Sequence, residues 1–196
     1  MRTLVETLLR RVEASGGTRK NIVAFSGGVD SSVVAALVQT VFPRSGTIAC
    51  IGRSAALPSA QLQLAREVAA HIGIQLKEVA TAEGANPDYV ANEGMACFHC
   101  KTELYSTLEA VASFAADDST DEVSIISGSS INDGYGENGG KGRSVVLFNG
   151  TNKEDRADPT RVGLIAANNF AVESPIDTLT KEEVRAVARH LGLPVS

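Results

Sequence analysis

The sequence has no excess of basic residues. Its 18 Lys and Arg are outnumbered by 23 Asp and Glu, for a formal net charge of −5. Proteins that grip long nucleic acid usually present a basic face, so tRNA and DNA are disfavoured as partners. No apolar run reaches the roughly 18 residues a membrane span needs, so no membrane partner is expected. Cysteine is scarce and odd in number, at three. With no signal peptide visible, this excludes a disulfide framework and implies a reducing, cytoplasmic setting. The opening "MRTLVETLLRRVEASGG" puts Leu4, Leu8 and Val12 on one helical stripe. Glu6 and Glu13 count against a transit peptide there, and an ordinary first helix is expected. There is no internal repeat, and no linker long enough to split the chain. One domain over 1–196 is expected, and 196 residues are enough to bury a real core.

What the sequence does have is alternation. "NIVAF" (Asn21–Phe25) is a short apolar run suited to a buried parallel strand, and a helix follows from about Asp30 to Val41. Thr47–Gly52 and Gln75–Thr81 read as further strands. Between them, "LPSAQLQLAREVAAHIGI" reads as a helix that starts near a proline and stops at Gly73. A helix over Cys100–Ala116, a strand at Ser144–Phe148 and a last short strand in "FAVESPI" come next. The closing helix has Thr180 as N-cap, Glu183 at its third position and Gly192-Leu193-Pro194 as its stop. Strands alternating with helices give an α/β fold, a Rossmann-like parallel sheet with helices on both faces. Ligands then bind beyond the carboxyl ends of the strands, at a switch point. Ser26, Arg53 and Gly150 all fall just past strand ends and should face one crevice. Residues 117–143, rich in Gly, Asn and acids, read as a surface loop insertion with only Val123–Ile126 as a strand candidate.

The chemistry concentrates in "SGGVDSS", Ser26 to Ser32. Gly27 and Gly28 permit positive φ and a close backbone approach. The helix behind them offers unpaired N–H groups and a partial positive charge. Ser26, Ser31 and Ser32 add hydroxyls, so the whole reads as an anion cradle. Asp30 would repel phosphate unless a magnesium ion sat between them. No window fits the Walker A pattern, and the only G-x-G-x-x-G, Gly134–Gly139, lies in the polar insertion with no helix pattern after it. The plain alternative is a glycine turn before a helix capped by Asp30.

This string, in its strand–loop–helix setting, resembles the PP-loop of the ATP pyrophosphatases, which split ATP into AMP and pyrophosphate. The segments "RSAALPSAQLQLAREVAAHIGIQLKEV", "MACFHCKTELY", "NGTNKEDRADPTRVG" and "LTKEEVRAVARHLGLP" follow in an order that resembles the LarE family of sacrificial sulfur transferases. The likeness runs through nearly the whole chain except the insertion, with Ala96 where the family usually has arginine. It implies ATP and Mg2+ as cofactors and adenylation of a carboxylate on a pyridinium dicarboxylate mononucleotide, a small nucleotide-like substrate. A protein cysteine then gives up its sulfur. In the family that donor lies beyond the "LGLP" helix, so its absence here puts sulfur transfer in doubt and weakens any homo-oligomer. The resemblance also leaves open an NAD/GMP synthase-like amide-forming enzyme, a tRNA thiolase, or a catalytically incomplete nucleotide-binding paralogue.

The remaining candidates divide by setting. Thr151, Asn152 and Asp155 follow a strand end beside the glycine loop, and Glu154 and Asp155 are candidates to help Asp30 hold magnesium. Arg53 and Ser54 follow the second strand, where this fold usually borders adenosine. Cys97 and Cys100 flank His99, and zinc would need about four ligands. Their plain reading is a structural or substrate-lining turn; the alternatives are reactive thiols, with a pKa lowered at a helix N-terminus, or a substitute sulfur donor. Cys50 reads as core, and His71 and His190 as surface residues.

Overall fold

The computed structural model of this chain describes residues 1–16, 20–43, 46–114 and 145–194. The proposed insertion at 117–143, with its strand candidate Val123–Ile126, lies outside the described residues. In chain order the elements are α1 (Arg2–Gly16), β1 (Lys20–Ala24), α2 (Val29–Val41), β2 (Ile48–Arg53), α3 (Ser59–Ile72) and β3 (Gln75–Ala80). A 3-10 turn at Glu83–Ala85 leads to α4 (Pro87–Ala91), α5 (Ala96–Phe114), β4 (Val145–Phe148), α6 (Lys153–Ala157), α7 (Gly163–Asn169) and α8 (Lys181–His190).

The four strands pair in the order β3-β2-β1-β4, every pairing parallel. Residues alternate across the strands, so each face has its own core. Val23, Phe25, Ala49, Ile51, Val146 and Phe148 pack against α1, α2, α3 and α8. Ile22, Ala24, Ile48, Cys50, Val145 and Leu147 pack against Tyr105 and Leu108 of α5 and Ala166 of α7. Both faces are therefore covered, which is why β1, β2 and β4 read as mostly apolar runs, while β3 at the edge carries polar residues. The fold is the expected doubly wound α/β sheet. The chain steps from β1 to β2 to β3 on one side, then returns to place β4 on β1's other side. The switch point thus lies between the carboxyl ends of β1 and β4.

Two elements differ from expectation. The segment "FAVESPI" forms a single bridge, Phe148 with Glu173, where a strand was expected. Ala171 turns back at φ 47, and Pro175 has no N–H to give a ladder. Only Glu173 can pair, donating to Leu147 O at 2.8 Å and accepting from Asn149 N at 3.0 Å. Helix α5 starts at Ala96, four residues before Cys100, because its inward stripe begins at Phe98 and continues through Tyr105, Leu108 and Ala112. At the far end of the chain, α8 has the expected capping box, Thr180 Oγ1 accepting from Glu183 N and Thr180 N–H donating to Glu183.

Leu37, 1% exposed, sits in the core between α2 and the sheet, whereas Leu64 on α3 is 37% exposed. Leu37→Ala should lower stability by about 2–5 kcal/mol, and Leu64→Ala should change it by less than about 0.5 kcal/mol. Urea unfolding of the two variants measures both.

Candidate functional site

The loop after β1 is built by short range bonds. Phe25 N–H still pairs with Cys50 O at 2.8 Å, so the strand holds its line until Ser26. Gly27 then turns at φ +74, and a Cβ there would lie 2.8 Å from the Ala65 Cα. Both facts demand glycine. Gly28, by contrast, is extended at φ −72 and is the N-cap of α2 without a side-chain cap, so Asp30 is not the cap. Of the three hydroxyls, Ser32 donates inward to Gly28 O at 2.8 Å. Ser31 donates to the same carbonyl at 3.1 Å and accepts from Ser26 N–H at 3.2 Å. Both are buried braces, and the Ser26 side chain stays at the exposed mouth. The Gln61 amide from α3 donates to Ser26 O and fixes the loop from outside.

The opposing loop follows β4. Asn149 is buried and spans three elements: it donates to the Tyr105 hydroxyl at 3.2 Å and accepts from Thr151 N–H at 3.0 Å and Ser174 Oγ at 2.7 Å. This bends the chain toward the glycine loop. A Cβ on Gly150 would fall 2.6 Å from Ser31 N and 2.7 Å from the Asp30 carbonyl carbon. Backbone meets backbone across the switch point. Asn152 caps α6 by a reciprocal pair with Asp155, at 3.0 and 3.2 Å, and its Nδ2 donates to Asp30 Oδ2 at 3.3 Å.

These contacts bring two carboxylates together. Asp30 Oδ1 is buried and has no hydrogen-bond partner. Burial raises the Asp30 pKa, and the facing Asp155 carboxylate raises it further. The Asn152 hydrogen bond and the cations Lys181 and Arg185 of α8 partly offset this. Asp155 is also held by Arg161, Nη2 to Oδ1 at 3.0 Å. Among the described residues no group of three or more His, Cys, Asp or Glu could hold a metal by itself. Two carboxylates with phosphate oxygens as the other ligands are, however, the usual donor set of magnesium in phosphate-handling sites. The orphaned Oδ1 of Asp30 fits that role.

The other candidates are placed as follows. Thr151 is buried beside Gly150. Glu154 turns away from the carboxylate pair, its oxygens accepting from Lys181 N–H at 3.0 and 3.1 Å to cap α8. Arg53 pairs with Glu78 at 3.3 Å across β2 and β3, and Ser54 Oγ accepts from Ala56 N–H. Cys97 is exposed and Cys100 half-buried in the first turns of α5. The Cys100 pKa is raised, by burial first and by the Glu83 carboxylate second, opposite to the lowering expected at a helix N-terminus. Cys50 is core, its thiol pushed up to about 12 by burial. His71, exposed, contacts Gly192 O at 2.9 Å. Gln61, Arg161, Lys181 and Arg185 belong to this site and are absent from the sequence reading. "TKEEVR" announced a helix start but not the loop it faces.

A sequence profile described as NAD synthase matches residues 1–89. The chain is 32% identical over 181 residues to an uncharacterized protein of Synechocystis sp., covering 91% of this chain and 57% of that one. It is 26% identical over 197 residues to the glutamine-hydrolyzing GMP synthase of Streptomyces avermitilis, covering 97% of this chain and 35% of the relative. The chain thus spans 57% and 35% of the length of these two relatives. Its fold matches the NH3-dependent NAD synthetase from Campylobacter jejuni, with TM-score 0.66, 16% identity, and coverage of 98% of this chain and 74% of the other. It also matches an NMN synthetase from Francisella tularensis, with TM-score 0.61, 16% identity, and coverage of 98% and 71%. Over its first 89 residues the chain is thus similar in sequence to NAD synthases, and its fold is the α/β fold of the NAD and NMN synthetases.

The Asp30 shift has a measurable sign. A carboxyl whose pKa is raised on folding binds its proton more readily in the folded state, so its charged form destabilises the fold. That penalty is fully present above the folded pKa and fades as pH falls through it toward the unfolded value. Asp30→Asn should therefore be more stable than the parent at neutral pH. The advantage should shrink as pH falls through the carboxylate range, as urea unfolding at a series of pH values will show.

Proposed function

We propose that this chain binds ATP with magnesium in the Ser26–Ser32 cradle and adenylates a carboxylate on a small pyridinium nucleotide, releasing pyrophosphate. The observation that carries this reading is the partnerless buried oxygen of Asp30, set beside Asp155 at the mouth of a glycine cradle on the α2 N-terminus. That mouth suits an anion through its first-turn N–H groups and the helix dipole. A lone buried carboxylate would be a poor neighbour for phosphate, and a divalent cation reconciles the two.

In this reading Gly27, Gly28 and Ser26 meet the pyrophosphate end of ATP. Ser31 and Ser32 keep the loop in shape through Gly28 O, and Gly150 and Thr151 close the far wall. Asp30 and Asp155 would hold the magnesium ion. When bound there it supplies neutralisation of the phosphate charge. Asn152 orients Asp30, while Lys181 and Arg185 add positive charge on the side where pyrophosphate departs. Arg53 and Ser54 border the adenosine, Arg53 exchanging its surface pair with Glu78 for the nucleotide. That exchange is cheap, since exposed pairs contribute little.

The pyridinium acceptor has two supports. The LarE resemblance implies a pyridinium dicarboxylate mononucleotide, and two structural neighbours are named for making NAD and NMN, both nicotinamide nucleotides. The nucleophile that follows divides the readings. The LarE resemblance favours sulfur, giving a sacrificial sulfur transferase in nickel-pincer cofactor synthesis. The NAD synthetase and GMP synthase likenesses favour ammonia and an amide.

Calorimetry should show ATP binding that strengthens with magnesium, and Asp30→Ala should weaken the magnesium-dependent binding at least tenfold; equal affinity in both proteins would remove Asp30 from the site. Exchange of labelled pyrophosphate into ATP should require a pyridinium carboxylate nucleotide. If no such nucleotide supports exchange, the acceptor assignment is wrong. Product mass after supplying ammonia or a sulfur donor then separates amide from thiocarboxylate.

A further inference from the structure

The helix α5 opens with Ala96-Cys97-Phe98-His99-Cys100, and nothing in the adenylation reading uses these thiols. Cys97 is exposed and Cys100 is half-buried behind it. Three positions apart, they lie on the same side of successive helical turns, with Cβ atoms about 5–6 Å apart in a regular helix. A disulfide wants about 3.5–4.5 Å between Cβ atoms. Closing that gap needs the opening turn of α5 to tighten at Cys97, since the His99 N–H is already held by Met95 O at 3.1 Å.

A second, independent feature stands beside them. Glu83, in the 3-10 turn before α4, is only 6% exposed, and its Oε2 has no hydrogen-bond partner. That turn is tied to α5 by Ala82 N–H donating to Glu103 Oε1 at 3.3 Å. Burying a carboxylate without satisfying both oxygens is costly. Its charge acts directly on the Cys100 thiol, second only to burial. A half-buried thiol under the charge of a buried carboxylate with a free oxygen is an arrangement in which a proton can leave the sulfur for that oxygen.

We propose that Cys97 and Cys100 are a dithiol–disulfide pair that exchanges with small-molecule disulfides, with Glu83 as the base for Cys100. Cys97 loses its proton to water, and the thiolate attacks one sulfur of the small disulfide. A Cys97–small-molecule disulfide forms, and the other half leaves as a thiolate that takes up a proton from water. Cys100 then passes its proton to Glu83 and attacks Cys97 Sγ. The Cys97–Cys100 bond forms and the second small thiolate is expelled, taking the proton from Glu83. Two protein thiols are oxidised, and one small disulfide is reduced to two thiols. Cys50 takes no part, being buried in β2 with its thiol held protonated.

The test uses the full chain with excess glutathione disulfide, followed by intact mass and peptide mapping. The parent should lose two hydrogens, mapped to a Cys97–Cys100 link, with Cys50 unmodified. Cys100→Ser should instead trap glutathione on Cys97, and Cys97→Ser should acquire none at Cys100 in the same time. Glu83→Gln should acquire glutathione at Cys97 at the parental rate but close the link at least tenfold more slowly, with Glu83→Asp recovering part of the loss. Alkylation of Cys50 in any variant identifies an unfolded sample, and the parent result decides the pair without the variants. A parent in which Cys97 and Cys100 both stay alkylatable under excess disulfide overturns the pair. Link closure in folded Glu83→Gln at the parental rate overturns the role of Glu83.

Discussion

Between the ends of β1 and β4 there is room for backbone and nothing more. The Gly150 Cα approaches Ser31 N and Asp30 so closely that one added methyl would overlap main-chain atoms, which cannot move aside as a side chain could. Much of the site hangs on that approach. It sets how far the β4 loop leans over the N-terminus of α2, and so whether Asn152 can reach Asp30 across 122 residues of sequence. Asn149 bends the chain to make the approach possible, and the sheet pairing of β1 with β4 fixes its height. Gly27 plays the same part on the opposite wall, where the loop passes against the backbone of α3.

The fold uses this rigidity to hold groups that would otherwise avoid each other. Two carboxylates stand near one another at half-buried positions, and both are steered by Asn152, Asp30 accepting from its side-chain Nδ2 and Asp155 from its backbone N–H. Around them stand Arg161, Lys181 and Arg185, which moderate the repulsion without cancelling it. Such an arrangement is strained electrostatically and relaxed sterically. For the Mg–ATP site proposed above, such an arrangement would be organised before its ligand arrives, so that little would have to move on binding. The same economy appears in the Ser31 and Ser32 hydroxyls, which satisfy the loop's own carbonyl instead of projecting into the mouth.

Legibility in the sequence follows the range of each interaction. The strand, glycine turn and helix of Asn21–Val41 are local, and periodicity with two glycines was enough to find them. The capping box at Thr180 and Glu183 is local too, and it stands as read. The core place of Cys50 follows from an apolar run alone. What stayed hidden depends on chain segments that meet only in the fold. Glu154 looked like a metal ligand, yet α8 needed its carboxylate as a cap. Lys181 and Arg185 drew no reading beyond their place in a closing helix, yet their charges act on Asp30. The helices Lys153–Ala157 and Gly163–Asn169 drew no reading, because five and seven residues carry too few apolar positions to show a period. The expected last strand failed for the opposite reason: its composition suited a strand, but its turn at Ala171 and the proline at 175 left one residue able to pair.

The place of β1 in the sheet order has a consequence for how the protein is made. It sits between β2 and β4, and although β2 follows it closely in the chain, β4 comes only after residues 49–144 have been added to β2's start. A ribosome releasing the chain from its N-terminus therefore exposes one bare edge of an apolar strand for most of the synthesis. That edge, Lys20–Val23, is a template for pairing with any other extended chain until Val145–Phe148 arrives to cover it. Crowded expression should then punish this protein at the stage of translation rather than after it. Chaperones that shelter nascent chains would protect its yield more than any gain in the stability of the finished fold.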